Sequence, residues 1–468
     1  MKPSKDQLSL GTRTSLVKRL IESGTVKQYH AFFQRYHDAD VAEALEELPS
    51  DYQQKFFQKI KPEIAADFLE EMGLPQQAEV LSEIKTELAA QYIEEMEPDD
   101  AADLLEELIE TDEAKAESII DALSKEEAED IKGLLSYAED SAGAIMTSEF
   151  LSIPEELTVK QALAHFKNQD PPDSEISFYI FVINDDNRLI GHTTLRTLVM
   201  SKETSKVKDI RYDNTIKTTV DDDQEEAARL IQKYDLLALP VVDHQNRLVG
   251  LITVDDIVDV VVEEATEDLY KLSGTSEFNE EKLLSGNIGY ALRSRLPWLF
   301  ITILGGLLAS YIITLYSQNY PAGTLVSLSL FLSFIPLLMG LGGNVGNQSA
   351  TIIVRGLSTG HIKDKTPFTY IFRETLVGCS IGILVGAIVF SVNFFLQPST
   401  LFSVIISVSI FANITIAAFI GSSLPIILKK CRVDPAVASA PFISTALDII
   451  GQLIYFAVTF FLLTSFLA

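Results

Sequence analysis

At 468 residues the chain exceeds the roughly 250–300 residues that one core usually serves, so several domains are expected. Its formal charge of −29 stands beside a 47% hydrophobic composition, and the two separate along the chain: residues 296–468 hold four of the 66 acids and seven of the 37 Lys and Arg, leaving 62 acids against 30 bases before them. That distribution excludes a nucleic-acid binder, which needs a basic face, and a disordered acidic tail, which lacks aliphatic content. Cys379 and Cys431 offer no disulfide framework, and residues 1–20 carry no apolar h-region, so no cleaved signal peptide is expected.

Residues 1–138 read as a helical-repeat N domain. Val41-Ala42-Glu43-Ala44-Leu45-Glu46-Glu47-Leu48 recurs 24 residues later at Ala65–Met72 and again at Ala89–Met96, with a half-period copy at Ala101–Leu108. Each copy spaces its apolar residues for one helix face and puts a Glu pair on the other, which predicts short helices stacked as a superhelix with the Glu pairs solvated.

A second duplication covers 139–272. Val182-Ile183-Asn184, Asn187-Arg188-Leu189-Ile190-Gly191 and Thr194-Leu195 return 59 residues later as Val241-Val242-Asp243, Asn246-Arg247-Leu248-Val249-Gly250 and Thr253-Val254. Each half reads helix, strand, turn, strand, helix, an α+β unit. The first half carries extra residues that include Pro171-Pro172. The run Gly250-Leu251-Ile252-Thr253-Val254-Asp255-Asp256-Ile257 resembles the closing motif of tandem CBS domains. In CBS pairs that bind adenosine nucleotides the final Asp holds the ribose hydroxyls, a place taken by Asp256 in the second half and by Thr197 in the first. An adenosine nucleotide is the ligand this resemblance allows.

A connecting helix is expected over 273–295, with Leu283, Leu284, Ile288, Ala291 and Leu292 at helical spacing. Beyond it, no charged residue lies between Arg295 and Arg355, between Glu374 and Lys429, or after Asp448. A membrane-crossing helix needs about 20 apolar residues, which gives five spans within 296–468, near 296–316, 325–353, 373–396, 401–428 and 436–466. Arg293 and Arg295, then Arg355, Lys363, Lys365 and Arg373, then Lys429, Lys430 and Arg432 flank alternate connections. The bias of basic residues places the N-terminal part in the cytoplasm and the C-terminus outside.

Enzyme constellations are absent: the six histidines lack metal-ligand spacing, and neither a phosphate loop nor a nucleophile elbow occurs. The membrane part carries the chemistry. Asp448 lies alone in an apolar span, about 13 residues past Pro435 and roughly 20 Å along a helix. A charge at that depth costs about 2.5–3.5 kcal/mol on insertion scales and normally faces a bundle interior or a water path. Gly340-Leu341-Gly342-Gly343-Asn344-Val345-Gly346-Asn347-Gln348-Ser349 invites either close backbone approach or a break in the helix. Asn413 adds an amide in span four, and Asp434 before Pro435 reads as a helix cap.

The run Pro336–Gln348, together with the order of the parts, resembles the MgtE magnesium channel/transporter family over essentially the whole chain. The resemblance implies a homodimer in a plasma membrane with one pore on its two-fold axis, needing neither nucleic acid nor another protein partner. Asp448 of each subunit would form the selectivity site, lined by Asn344, Asn347, Gln348 and Asn413. Ala440 departs from the Asn or Gly that relatives often carry there. Mg2+ would also regulate, held by Asp223, Glu225, Asp235, Asp256, Asp259, Glu264, Glu267 and Asp268, with Asp67 and Asp100 on the N domain. High cytosolic Mg2+ would bridge these carboxylates and close the pore through the connecting helix. A carrier coupling Mg2+ to Na+ or H+, and a CBS-regulated membrane sensor without transport, are the alternative readings.

Overall fold

The computed structural model describes residues 9–467 except 25, 34, 169–178, 276–287, 319–327, 360, 363–366, 397–398 and 439. It divides into two compact units, Met1–Val262 and Glu263–Ala468. Most of the connecting segment and the Pro171-Pro172 insertion lie outside the described residues.

The first unit opens with helices α1 (Leu10–Ser23), α2 (Val26–Phe33), α3 (Asp38–Glu46), α4 (Ser50–Phe57), α5 (Pro62–Glu70), α6 (Leu74–Glu83), α7 (Thr86–Ile93), α8 (Pro98–Ile120) and α9 (Lys125–Leu134). The repeat makes α3, α5 and α7 stack in one row and α4, α6 and α8 in another. Ala65, Ala66, Ala89, Ala90, Ala101 and Ala102 are buried, so the helices approach closely over a core that includes Phe56, Phe57, Phe68 and Tyr92. Buried Gln53 donates Nε2 to the carbonyls of Leu45 and Leu48, and Gln77, one repeat on, donates to that of Met72. The Glu pairs are more than a solvated face. The first of each reaches forward to a later helix start: Glu46 accepts from Gly73 N at 2.8 Å, Glu70 from Glu97 N at 3.0 Å and Glu94 from Ser124 N at 2.8 Å. These donors sit at helix N-termini that lack partners within their own helix, which is why a carboxylate settles there.

Two three-stranded sheets follow, β1-β2-β3 (Ser152–Pro154, Tyr179–Ile183, Leu189–Thr194) and β4-β5-β6 (Thr218–Thr219, Ala238–Val242, Leu248–Thr253). In each the first pair is parallel and the second antiparallel, with a register shift at Val182/Ile183 and at the matching Val241/Val242. Asn187 and Asn246 take φ of 59° and 64° at the two turns, where asparagine tolerates the left-handed region. The turns clasp one another: Leu189 N donates to Asn246 O at 3.0 Å and Leu248 N to Asn187 O at 3.1 Å. Helices α10 (Val159–Asn168), α11 (Leu195–Met200) and α12 (Gln224–Tyr234) complete the halves, and β6 runs into α13 (Val254–Ser273).

The second unit holds five helices long and apolar enough to cross a membrane. Span one is Ile288–Gln318, span three Pro367–Leu396, span four Thr400–Lys430 and span five Ala440–Leu467. The expected boundary at 295/296 falls inside span one, because Arg293 and Arg295 are compatible with helix and extend its first turns. Span two breaks where Leu328–Leu332 ends and Ile335–Ser358 begins, so the glycine-rich run is continuous helix. Its glycines serve approach instead: a Cβ on Gly421 would stand 2.2 Å from the carbonyl oxygen of Gly346, so spans two and four touch backbone to backbone. Span four also packs on span three, and span five on spans one and two. Span five starts at Ala440, after a 3-10 turn over Pro435–Val437 that Asp434 caps by accepting from Ala436 N at 2.8 Å.

Candidate functional site

Helical spacing places Asn344, Asn347, Gln348, Thr351 and Ile352 of span two along one open groove of about 440 Å³. Asn347 Nδ2 donates to Ser444 Oγ of span five at 3.0 Å. Asp448, one turn past Ser444, is half-buried. It stands eight residues into its helix, roughly 12 Å along the axis rather than 20 Å. Asp448 is not among the residues lining the groove within this single chain. Asn413 belongs elsewhere. It is buried, donates Nδ2 to the carbonyl of Leu338 at 2.8 Å and abuts Gly342 and Gly451, so it joins helices instead of lining the groove. An amide in a span can do either, and the composition of span four alone did not distinguish them.

In the first unit, Asp100 and Asp256 come together. Asp256, on the first turn of α13, accepts from Thr253 N at 3.3 Å and closely from Thr253 Oγ1. Facing it is the start of α8. Burial first, then the charges of Glu70, Asp256, Glu97 and Asp103, pushes the Asp100 carboxyl up to about 8. Burial and the same neighbourhood raise Glu97 to about 7, and burial raises Glu70 and Asp256. Asp99 is buried and held well above the ordinary range by burial and by Asp256, and its Oδ1 has no hydrogen-bond partner among the described residues. Carboxyls so crowded, with an orphaned oxygen, fit a cation. Among the described residues, however, no three such side chains enclose a metal position within the single chain.

No sequence motif singles out Glu97 or Asp99, and the repeat carries a signal for Glu97 only, since Asp99 stands where Glu63 and Glu87 stand in earlier copies. The residues capping α3, α5 and α7 are His37, Lys61 and Lys85, whereas α8 is capped by Glu97. At the place of Ile64 and Leu88 stands Asp100. At the cap the last copy has turned acidic where its predecessors are basic, and Asp100 restores the acid of the first copy, Asp40.

The remaining acids are dispersed. Asp223 caps α12, accepting from Glu225 N at 2.8 Å, and Asp235 ends the same helix at φ 50°. Asp259 is exposed, and Asp67 lies at the surface of α5 with its carboxyl raised by partial desolvation and by Asp38. Glu264 is half-buried on α13. In the second unit Lys271 Nζ bridges Glu267 at 2.6 Å and Asp434 at 2.8 Å, while Asp268, raised by burial, accepts from Ser358 Oγ at 2.9 Å. Thr197 is turned to its own helix cap, its hydroxyl 2.9 Å from that of Thr194.

Residues 335–458 match the MgtE family model, described as a divalent cation transporter. Residues 36–140 match the MgtE intracellular N domain, and 142–202 and 207–263 each match the CBS domain. The chain is similar to the magnesium transporter MgtE of Bacillus subtilis (strain 168), 35% identical over 339 residues that cover 72% of this chain and 73% of the relative. It is similar also to the magnesium transporter MgtE of Thermus thermophilus, 34% identical over 359 residues that cover 76% and 77%. Among solved structures it is similar to the soluble part of a magnesium transporter, at a TM-score of 0.51 and 32% identity over 55% of this chain and all of that one. A second is the cytosolic domain of the Mg2+ channel MgtE in complex with ATP, at a TM-score of 0.50 and 30% identity over 53% and 99%.

Proposed function

The chain belongs to the MgtE family of divalent cation transporters, and from that premise we propose that it is a Mg2+-selective channel, with Asp448 as its selectivity carboxylate and closure driven by cytosolic Mg2+. The observation that carries the reading is a half-buried carboxylate on span five, one turn from a hydroxyl bonded to the amide-lined groove of span two. Mg2+ sheds water reluctantly, so a wide site of carboxylate and amide oxygens suits the hydrated ion. Two copies of the chain on a two-fold axis would supply two Asp448 carboxylates. At an effective dielectric of about 20 and a distance of about 4 Å, each attracts a monovalent ion by roughly 4 kcal/mol and a divalent ion by roughly 8 kcal/mol. Charge therefore favours Mg2+ over K+ before size enters.

Dimerisation has a surface to use. Val199 on α11 and Val258 on α13, matched positions of the duplication, are 62% and 58% exposed, with Met200 beside them at 78%. Apolar exposure on that scale fits a second copy of the chain. Closure would follow from the acids facing Asp256: Mg2+ between Asp100 and Asp256 would displace the protons held there and tie the start of α8 to that of α13, and its withdrawal would release them. An adenosine nucleotide remains a second ligand of the CBS pair in this reading, supported by the ATP complex of the solved relative. Asp256 uses one carboxylate oxygen, Oδ2, for its own helix cap and keeps Oδ1 to accept from a ribose, whereas the Thr197 hydroxyl is engaged with Thr194.

Purified full-length protein in liposomes tests the reading. Mg2+ influx is expected for the native chain and its loss, or loss of discrimination against K+, for Asp448→Ala. Flux and selectivity unchanged in that variant would refute the assignment, and flux at carrier rates coupled to Na+ or H+ would replace the channel with a carrier.

A further inference from the structure

We infer that Ser444 is a positioning residue for Asp448, an inference that rests on the transport reading above. Ser444 and Asp448 are four residues apart on span five and so share a face. Around Ser444 the contact with span two is apolar; farther along span five, Gln452 donates Nε2 to Met339 Sδ at 3.4 Å and Tyr455 its hydroxyl to the carbonyl of Phe331 at 2.8 Å. Leu447 fills the space at Gly346, where a Cβ would come within 2.0 Å of its Cδ1, and Ile443 lies beside it. Such contacts are non-directional and let one helix turn against another. A hydrogen bond is directional, and the bond from Asn347 Nδ2 to Ser444 Oγ at 3.0 Å is a polar tie across this seam. Ser444 Oγ also stands where a Cβ on Gly343 would meet it at 3.6 Å, so the hydroxyl is seated between successive turns of span two.

The bearing matters because side-chain tips ride about 5–6 Å from the helix axis, so a turn of roughly 20° moves one by about 2 Å. Shifts of that size decide whether a carboxylate meets the water shell of a cation. Asn347 is fixed by the same bond. Its Oδ1 is buried without a partner among the described residues, and the Ser444 hydroxyl is the partner seen for its amide. Removing that hydroxyl therefore frees both a groove-lining amide and the face that carries Asp448.

Two readouts test this, one of them independent of transport. In full-length protein with Cys379→Ala, Cys431→Ser and Asp448→Cys, the rate of labelling by a cationic methanethiosulfonate reports how the residue-448 position is presented. Adding Ser444→Ala is expected to change that rate about threefold or more, and adding Ser444→Thr to leave it near the parent value. With Asp448 native, Ser444→Ala is expected to raise the Mg2+ concentration for half-maximal liposome influx about two- to tenfold, with less effect on the maximal rate, and Ser444→Thr to restore it. Unchanged labelling and unchanged half-saturation in Ser444→Ala overturn the inference, as does equal impairment of the Ala and Thr variants. Flux that persists in Asp448→Ala overturns the transport reading instead, and the labelling comparison still decides the role of Ser444.

Discussion

Glu97 and Asp100 hold protons in the folded chain that they would release on unfolding, since both carboxyls are raised, to about 7 and about 8, above their ordinary range near 4. Their contribution is fully present below the unfolded value and is lost as pH rises through the folded values. In EDTA, thermal unfolding of the first unit is therefore expected to move to lower temperature between about pH 4.5 and 8. Glu97→Gln combined with Asp100→Asn should flatten that dependence and raise the transition at pH 8. Millimolar Mg2+ should stabilise the native chain and leave the double variant unmoved. Differential scanning fluorimetry measures all three, and a transition that rises with pH in EDTA contradicts the electrostatic account. Some of this was legible in the sequence. Asp100 and Asp256 stood out as acids, and Glu97 is visible when the caps of the repeat are compared, but Asp99 is not, because Glu63 and Glu87 hold its place in earlier copies. Ser444 gave no signal, because a serine in a span is unremarkable until the rotation of two helices brings an amide to it.

Elements were the most readable level. The gaps between charges marked the five spans, and the 24- and 59-residue duplications marked the helical array and the two sheets. The glycine-rich run left two alternatives, close approach or a break, and the structure takes the first for a physical reason: glycine weakens a helix in water but permits contact between helices, and Gly346 and Gly421 are used for contact. Gly421→Ala would set a Cβ 2.2 Å from a backbone oxygen that cannot swing aside. A cost of about 1–3 kcal/mol is expected, read as a lower unfolding temperature in detergent. Gly306, with nothing within 4 Å of its would-be Cβ, is the control, and Gly306→Ala should leave the transition in place. Equal behaviour of the two variants would remove the backbone contact as the reason for the glycine.

At the scale of the whole molecule the charge partition is the most informative property, since it separates an acidic N-terminal part from residues 296–468, which hold four of the 66 acids. If α11 and α13 pair two copies, Val199→Glu with Val258→Glu should shift the purified protein toward the monomer, as measured by light scattering coupled to size exclusion. A dimer of undiminished stability would place the contact on another face. One consequence concerns length. Glu46, Glu70 and Glu94 each latch onto the opening residue of a later helix. Excising residues 47–70 would bring Glu46 into the place of Glu70, facing Glu97, and every surviving latch would still find its catch. An excision of 20 residues would rotate the remainder out of phase and leave catches empty. The full copies of the array can thus be added or removed only in quanta of 24, like links of a chain that are removable singly but cannot be cut at an arbitrary point.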